Sequence, residues 1–181
     1  PLHTLENIVS FSYAGATPQL MGACVQRDIG LSFFTPNGRF LAGAIGEERG
    51  NVLLRKKQYR VSDDESASCL IARNMVLGKV YNSRAVIERA LRDHPQRVDV
   101  PTLRAASSAL SEALPIIEGE KDLDTLRGVE GKAAFCYFSV FDELILQGRE
   151  VFNFDGRTRR PPRDPVNAMI SFAYALLAKD C

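Results

Sequence analysis

The chain has 181 residues, 45% of them apolar and 25% charged, with a formal net charge of +1. That length holds one large domain or two small ones, and the composition is ordinary for a soluble globular protein. No apolar run reaches the ~18 residues that span a bilayer, no signal peptide is visible, and Cys24, Cys69, Cys136 and Cys181 form no C-x-x-C pair. These features argue against a membrane protein, a zinc site or a disulfide framework, and for a cytoplasmic location.

Residues 1–46 read as a partial β-rich domain. "ENIVSFSY" has the length and β-branched content of a short strand. "TPQLMGACVQRDI" opens on Thr17 as a cap and Pro18 at the first helical position, then repeats Leu20, Ala23 and Cys24 at helical spacing. "GLSFFTPNGRFLAGAIG" predicts two strands joined at Asn37-Gly38. Residues 47–181 read as a mainly α-helical domain, so the fold class is α+β. "GNVLLRKKQYR" is short and basic. "DDESASCLIARNMVLGKVYNSRAVIERALRDHP" is a long helix with an acidic start, a stop at Pro95 and a core stripe of Cys69, Ala72, Val76, Val80, Ile87 and Leu91. "PTLRAASSALSEALPIIEGEKDLDTLRGVE" supplies one or two more helices, broken near Pro115 and Gly119. Residues 127–146 predict a central helix, "GREVFNFDGRTRRPPRD" a loop, and Asp164 with Pro165 the start of a last helix. The chain starts at Pro1 and stops at Cys181 within an apolar helical pattern, which reads as a piece of a longer protein lacking both ends.

Three constellations could carry chemistry. In "RGVEGKAAFCYFSVFDELIL", Glu130 shares a face with Ala134, Tyr137, Phe141 and Leu144, while Lys132, Cys136, Ser139 and Glu143 form a more polar face. A carboxylate on the buried side is costly unless paired, with Arg127 for example, or bound to a cation. Gly128, Gly131 and Ala134 would let a neighbouring segment approach closely. Next, Arg157, Arg159, Arg160 and Arg163 crowd into seven residues before a helix N-terminus. They read either as a phosphate-binding loop or as a solvated basic loop. On the following helix Asn167, Ser171 and Tyr174 form a polar stripe that lines either a buried network or a site. Last, Arg49, Arg55, Lys56, Lys57 and Arg60 run without an acidic residue beside Tyr59, a surface suited to tracking phosphates. Charge is uneven: residues 49–97 hold 11 Lys/Arg against 5 Asp/Glu, and residues 98–153 hold 5 against 10. A basic segment beside an acidic one suits a protein that holds a polyanion and a cation, or simply solvated faces.

"LRGVEGKAAFCYF" and "GRTRRPPRDPVNAMISFAYALL", in that order, with "NVLLRKKQY" and "ARNMVLGKVYNSR" in support, resemble the CRISPR-associated integrases of spacer acquisition, on the type I side and near the I-C branch. The resemblance covers nearly the whole chain. It implies that Glu130 is a catalytic metal ligand, with a histidine and an aspartate expected beyond Cys181 to complete the site. It also implies Mg²⁺ or Mn²⁺ as cofactor, a homodimer formed through the β-rich domain, and a small ferredoxin-like adaptation partner. The implied reaction is transesterification, in which the 3′-hydroxyl of spacer DNA attacks a phosphodiester of the CRISPR repeat. DNA contacts are expected from Arg55, Lys56, Lys57, Arg157, Arg159 and Arg160, with Asn167 and Tyr174 lining the site. The competing readings are a non-catalytic nucleic-acid-binding scaffold, in which Glu130 is only a structural charge, and a helical interaction domain with no role on DNA.

Overall fold

The computed structural model describes residues 2–46 and 50–180, with side chains to residue 178. Arg49 and Cys181 therefore lie outside the described residues. The fold is α+β. Its elements are β1 (Asn7–Ser10), α1 (Pro18–Gln26), β2 (Gly30–Phe34), β3 (Phe40–Ala44), α2 (Val52–Ser62), α3 (Glu65–Asp93), α4 (Val100–Gly119), α5 (Leu123–Ser139) and α6 (Pro165–Asp180), with 3₁₀ turns at Leu2–Thr4 and Phe141–Leu144. They divide into two compact units, Pro1–Asn51 with Met169–Cys181, and Val52–Ala168. Among the described residues no helix is long and apolar enough to cross a membrane.

In the first unit the sheet order is β1-β2-β3. β1 pairs in parallel with β2, Asn7 opposite Gly30, and β2 pairs antiparallel to β3, Leu31 opposite Ala44. A parallel pair needs a crossover, and α1 supplies it. Thr17 caps α1 as expected, its hydroxyl accepting from the Leu20 N–H at 3.3 Å. The helix lays fully buried Cys24, with Leu20 and Met21, onto Ile29 and Leu31. On the other face of β2, buried Phe34 meets the rings of Phe11 and Phe40 at 5.3 and 5.5 Å, and Phe11 meets Phe172 of α6 at 5.1 Å. The hairpin turns at Asn37-Gly38. Gly38 has φ +79°, and a Cβ there would come within 2.8 Å of the Phe172 ring, so both backbone and packing favour glycine. β3 is an edge strand with Phe40 and Leu41 exposed.

The second unit packs α3, α4 and α5 around one core. The stripe expected for α3 is the one used: Cys69, Val80 and Ile87 are buried, with Ala72, Val76 and Leu91 packed alongside. Asp64 caps this helix, accepting from the Ala67 N–H at 3.1 Å. Two expectations fail. α4 is not broken at Pro115 and runs through it to Gly119. The proline costs one backbone hydrogen bond, but Leu110 and Ile117 on either side of it are 1% and 0% exposed, and their burial carries the helix across the gap. The helix placed at 127–146 starts at Leu123, with Asp122 as its cap, and ends at Ser139. Phe141–Leu144 is a separate 3₁₀ turn.

Candidate active site and nucleic-acid interface

Glu130 stands in the middle of α5. The helix starts where it does because the Asp122 carboxylate accepts from the Thr125 N–H at 2.7 Å, a bond that holds the Asp122 carboxyl below the usual carboxylate range. Its core-facing positions are Leu126, Val129, Ala133, Cys136 and Tyr137, followed by Val140 just past its end, all packed with α3 and α4. This corrects the face assignment in part: Tyr137 and Leu144 of the expected stripe pack on the core, but Cys136 belongs there too. Cys136 is not on a polar face: its Sγ donates to the Ala106 carbonyl at 3.8 Å, and burial pushes its thiol pKa up. Glu130 sits at the edge of the core with its side chain 28% exposed, and it pairs with Lys79 from α3. Arg127, the partner that sequence proximity suggests, is bound instead to Asp124 at 2.5 Å. Lys79 lies 51 positions from Glu130 in the sequence, and no local pattern could have paired them. A Cβ on Gly128 or Gly131 would meet nothing within 4 Å, so the side of α5 flanking Glu130 is open.

The described residues contain no group of three or more His, Cys, Asp or Glu that could hold a metal ion. Mg²⁺ and Mn²⁺ take several oxygen or nitrogen ligands. One carboxylate shared with an ammonium does not make such a centre, so the described residues do not by themselves fit the implied cofactor.

The arginine-rich loop is organised by one side chain. Asn167, on the first turn of α6, is fully buried. Its Oδ1 accepts from Arg157 at 2.8 Å and from the Thr158 N–H at 2.9 Å. Its Nδ2 donates to the Gly156 carbonyl at 2.9 Å and to Asp164 at 2.6 Å. Asp164 caps α6 as expected, accepting from the Asn167 N–H at 2.7 Å. Every hydrogen-bonding position of the amide is therefore used, and Asn167 belongs to a closed network rather than lining an open pocket. Arg157 is half-buried in that network, while Arg159, Arg160 and Arg163 are exposed. Tyr174 falls in the other unit, half exposed. On α2, Arg55, Lys56, Lys57 and Tyr59 are all exposed along one basic helix.

The family model described as "CRISPR associated protein Cas1" matches residues 1–181. Among curated proteins, the chain is 43% identical over 180 residues to "CRISPR-associated endonuclease Cas1 1" of Chlorobaculum tepidum, covering 99% of this chain and 52% of that protein. It is 42% identical over 185 residues to "CRISPR-associated endonuclease Cas1 2" of Rhodospirillum rubrum, covering 100% and 53%. The chain thus spans about half the length of the curated relatives it matches. Among solved structures it is similar to the Thermotoga maritima protein TM1797, described as a CAS1 protein, with TM-score 0.69 and 25% identity over 98% of this chain and 52% of that one. A casposase bound to integration product shares the fold, with TM-score 0.75 and 23% identity over 95% of this chain and 46% of that one.

Proposed function

Given that the chain belongs to the CRISPR-associated Cas1 family, we propose that it is part of a spacer-acquisition integrase, carrying DNA-handling surface, in which Glu130 is one of the catalytic metal ligands. The observation that carries the reading is the setting of Glu130. It is held by a single ammonium at the rim of a packed helical core, beside a glycine-flanked face with nothing against it. A carboxylate held only by a solvent-accessible pair is free to exchange its partner. The remaining ligands, a histidine and an aspartate, are proposed to come from sequence following residue 181, and Mg²⁺ or Mn²⁺ belongs to that completed site. The substrate class is duplex DNA with a 3′-hydroxyl strand end, and the reaction is transesterification at a phosphodiester. The exposed cations on α2 and the loop arginines would neutralise backbone phosphates.

We also propose a cytoplasmic location, a dimer formed through residues 1–46, and a small ferredoxin-like partner. The open edge of β3, with Phe40 and Leu41 exposed, supports the dimer. Two structural neighbours are described as Cas6-RT-Cas1–Cas2 complexes, which supports an assembly with a second protein. The type I-C placement rests on sequence resemblance alone.

The scaffold reading keeps one observation on its side: Lys79 already balances the Glu130 charge. Strand transfer by the full-length protein and its Glu130→Ala variant separates the two. Loss of an interaction in the reacting site lowers strand transfer by ~10²-fold or more, with binding to duplex DNA unchanged. A variant that retains strand transfer makes Glu130 structural.

A further inference from the structure

Neither the Glu130 site nor the arginine loop uses the groove between the outer faces of α3 and α4. This depression, of about 540 Å³, is lined by Arg84, Glu88 and Arg92 from α3 and by Arg104, Ser107 and Ser111 from α4. Ser107 interrupts an otherwise apolar stripe: Leu103, Ala106 and Leu110 around it are buried, and Ser107 is itself only 3% exposed. A hydroxyl at such a position is costly unless bonded. Its Oγ accepts from Arg84 Nε at 3.2 Å and donates to the Glu88 carboxylate. The first bond tethers the Arg84 guanidinium within the groove.

Around this tethered arginine the charge is unbalanced. Glu88 lies 3.6 Å from the Arg84 fork. Arg92 is shared with Asp93 at 2.9 Å. Ser108, at the groove edge, donates to Glu112 at 3.2 Å. Among the described residues Arg104 makes no ion pair. The lining thus holds three guanidinium groups and three serine hydroxyls against one carboxylate, with Arg84 facing Glu88 and Arg92 facing Asp93 just outside it. That donor set suits phosphate oxygens, which arginine forks bind in two-toothed fashion. Arg84 and Arg92 are eight positions apart on α3, about 12 Å along the helix. That length exceeds a single phosphate group and is enough to meet more than one phosphate of a backbone.

We propose that the α3/α4 groove is a second backbone-phosphate site for duplex DNA, distinct from α2 and from residues 157–163, with Arg84, tethered to Ser107, and Arg104, which makes no ion pair among the described residues, as its anchors. The inference rests on the DNA-handling role proposed above. It is tested on the full-length protein by fluorescence anisotropy with an unrelated labelled duplex at several salt concentrations. Arg104→Glu is expected to weaken binding about tenfold and to lower the salt slope by about 1, the share of one neutralised phosphate. Glu88→Gln keeps an acceptor for Ser107 but removes the one carboxylate of the lining, and it is expected to tighten binding about threefold at low salt. Circular dichroism confirms that both variants fold. A wild-type protein that binds DNA while both variants match it overturns this groove and leaves the Glu130 reading standing. A wild-type protein that does not bind DNA overturns both. Titration with a nucleoside triphosphate separates the two sources of phosphate: binding that Arg104→Glu abolishes while DNA affinity is unchanged makes the groove a small-molecule site, and overturns the proposal.

Discussion

Glu130 and Asn167 are both polar side chains on helices of the second unit, and the molecule holds them in opposite ways. Among the described residues Glu130 has one partner, Lys79, and the two side chains are 28% and 46% exposed. Asn167 is fully buried, with four side-chain hydrogen bonds to Arg157, Thr158, Gly156 and Asp164. A half-exposed ion pair contributes only about 0–1 kcal/mol because water and salt screen it. A buried amide with every position satisfied is expensive to disturb, since each group left without a partner costs ~1–3 kcal/mol. The contrast separates a residue available for chemistry from one committed to architecture, although both read in the sequence as polar residues on apolar helices.

The largest effect that sharpens this contrast is expected at Asn167. Asn167→Ala strands the Thr158 N–H and the Gly156 carbonyl and should destabilise the protein by about 2–4 kcal/mol. Thermal denaturation measures it, and a variant as stable as wild type would break the contrast. Asn167→Asp keeps the acceptor for Arg157 and Thr158 but loses both amide donors and sets a carboxylate beside Asp164, so it should not restore stability.

A smaller effect is expected from the exposed arginines of the same loop. Arg159→Ala with Arg160→Ala should weaken binding to unrelated duplexes alike, with the salt slope falling by about 1 for each phosphate that is no longer neutralised. Weakening confined to one sequence would mean that these side chains read bases. Smaller again is the Lys79–Glu130 pair. Lys79→Ala, Glu130→Ala and the double variant form a cycle whose coupling should be about 0–1 kcal/mol and should shrink in high salt. A coupling of several kcal/mol would return Glu130 to architecture.

The smallest expected effect is at Asp122, the cap of the helix that carries Glu130. Its folded-state pKa is lowered by the hydrogen bond from the Thr125 N–H. Its contribution is therefore fully present above the unfolded carboxylate pKa and is lost as pH falls through the lower folded value. Melting temperatures of wild type and Asp122→Ala should differ near neutral pH and converge in acid. A difference that grows on acidification would contradict the cap assignment.

Much of the fold is legible because it is written locally. The α3 stripe from Cys69 to Leu91 keeps the helical period throughout and needs no knowledge of its partners. Thr17 and Asp164 are caps whose side chains satisfy N–H groups three residues on, and Asn37-Gly38 supplies a glycine where the hairpin needs a positive φ. The face of α5 misleads for an equally local reason. In the sequence the stripe from Glu130 through Tyr137 continues to Phe141 and Leu144, but the helix ends at Ser139 and those two residues belong to a 3₁₀ turn with a different angular step.

The sequence by itself determined the α+β class, the positions of most helices, the glutamate in its glycine-flanked segment and the crowding of arginines before α6. Those properties depend on spacing, caps and residue type along one stretch of chain. Only tertiary structure decided that α4 continues past Pro115, that Lys79 rather than Arg127 meets Glu130, that Asn167 closes the arginine loop, and that Arg84 and Ser107 meet across a groove. Each of those outcomes brings together groups on separate elements or turns, or rests on burial against them. Their energies come from packing and desolvation, which no local pattern encodes.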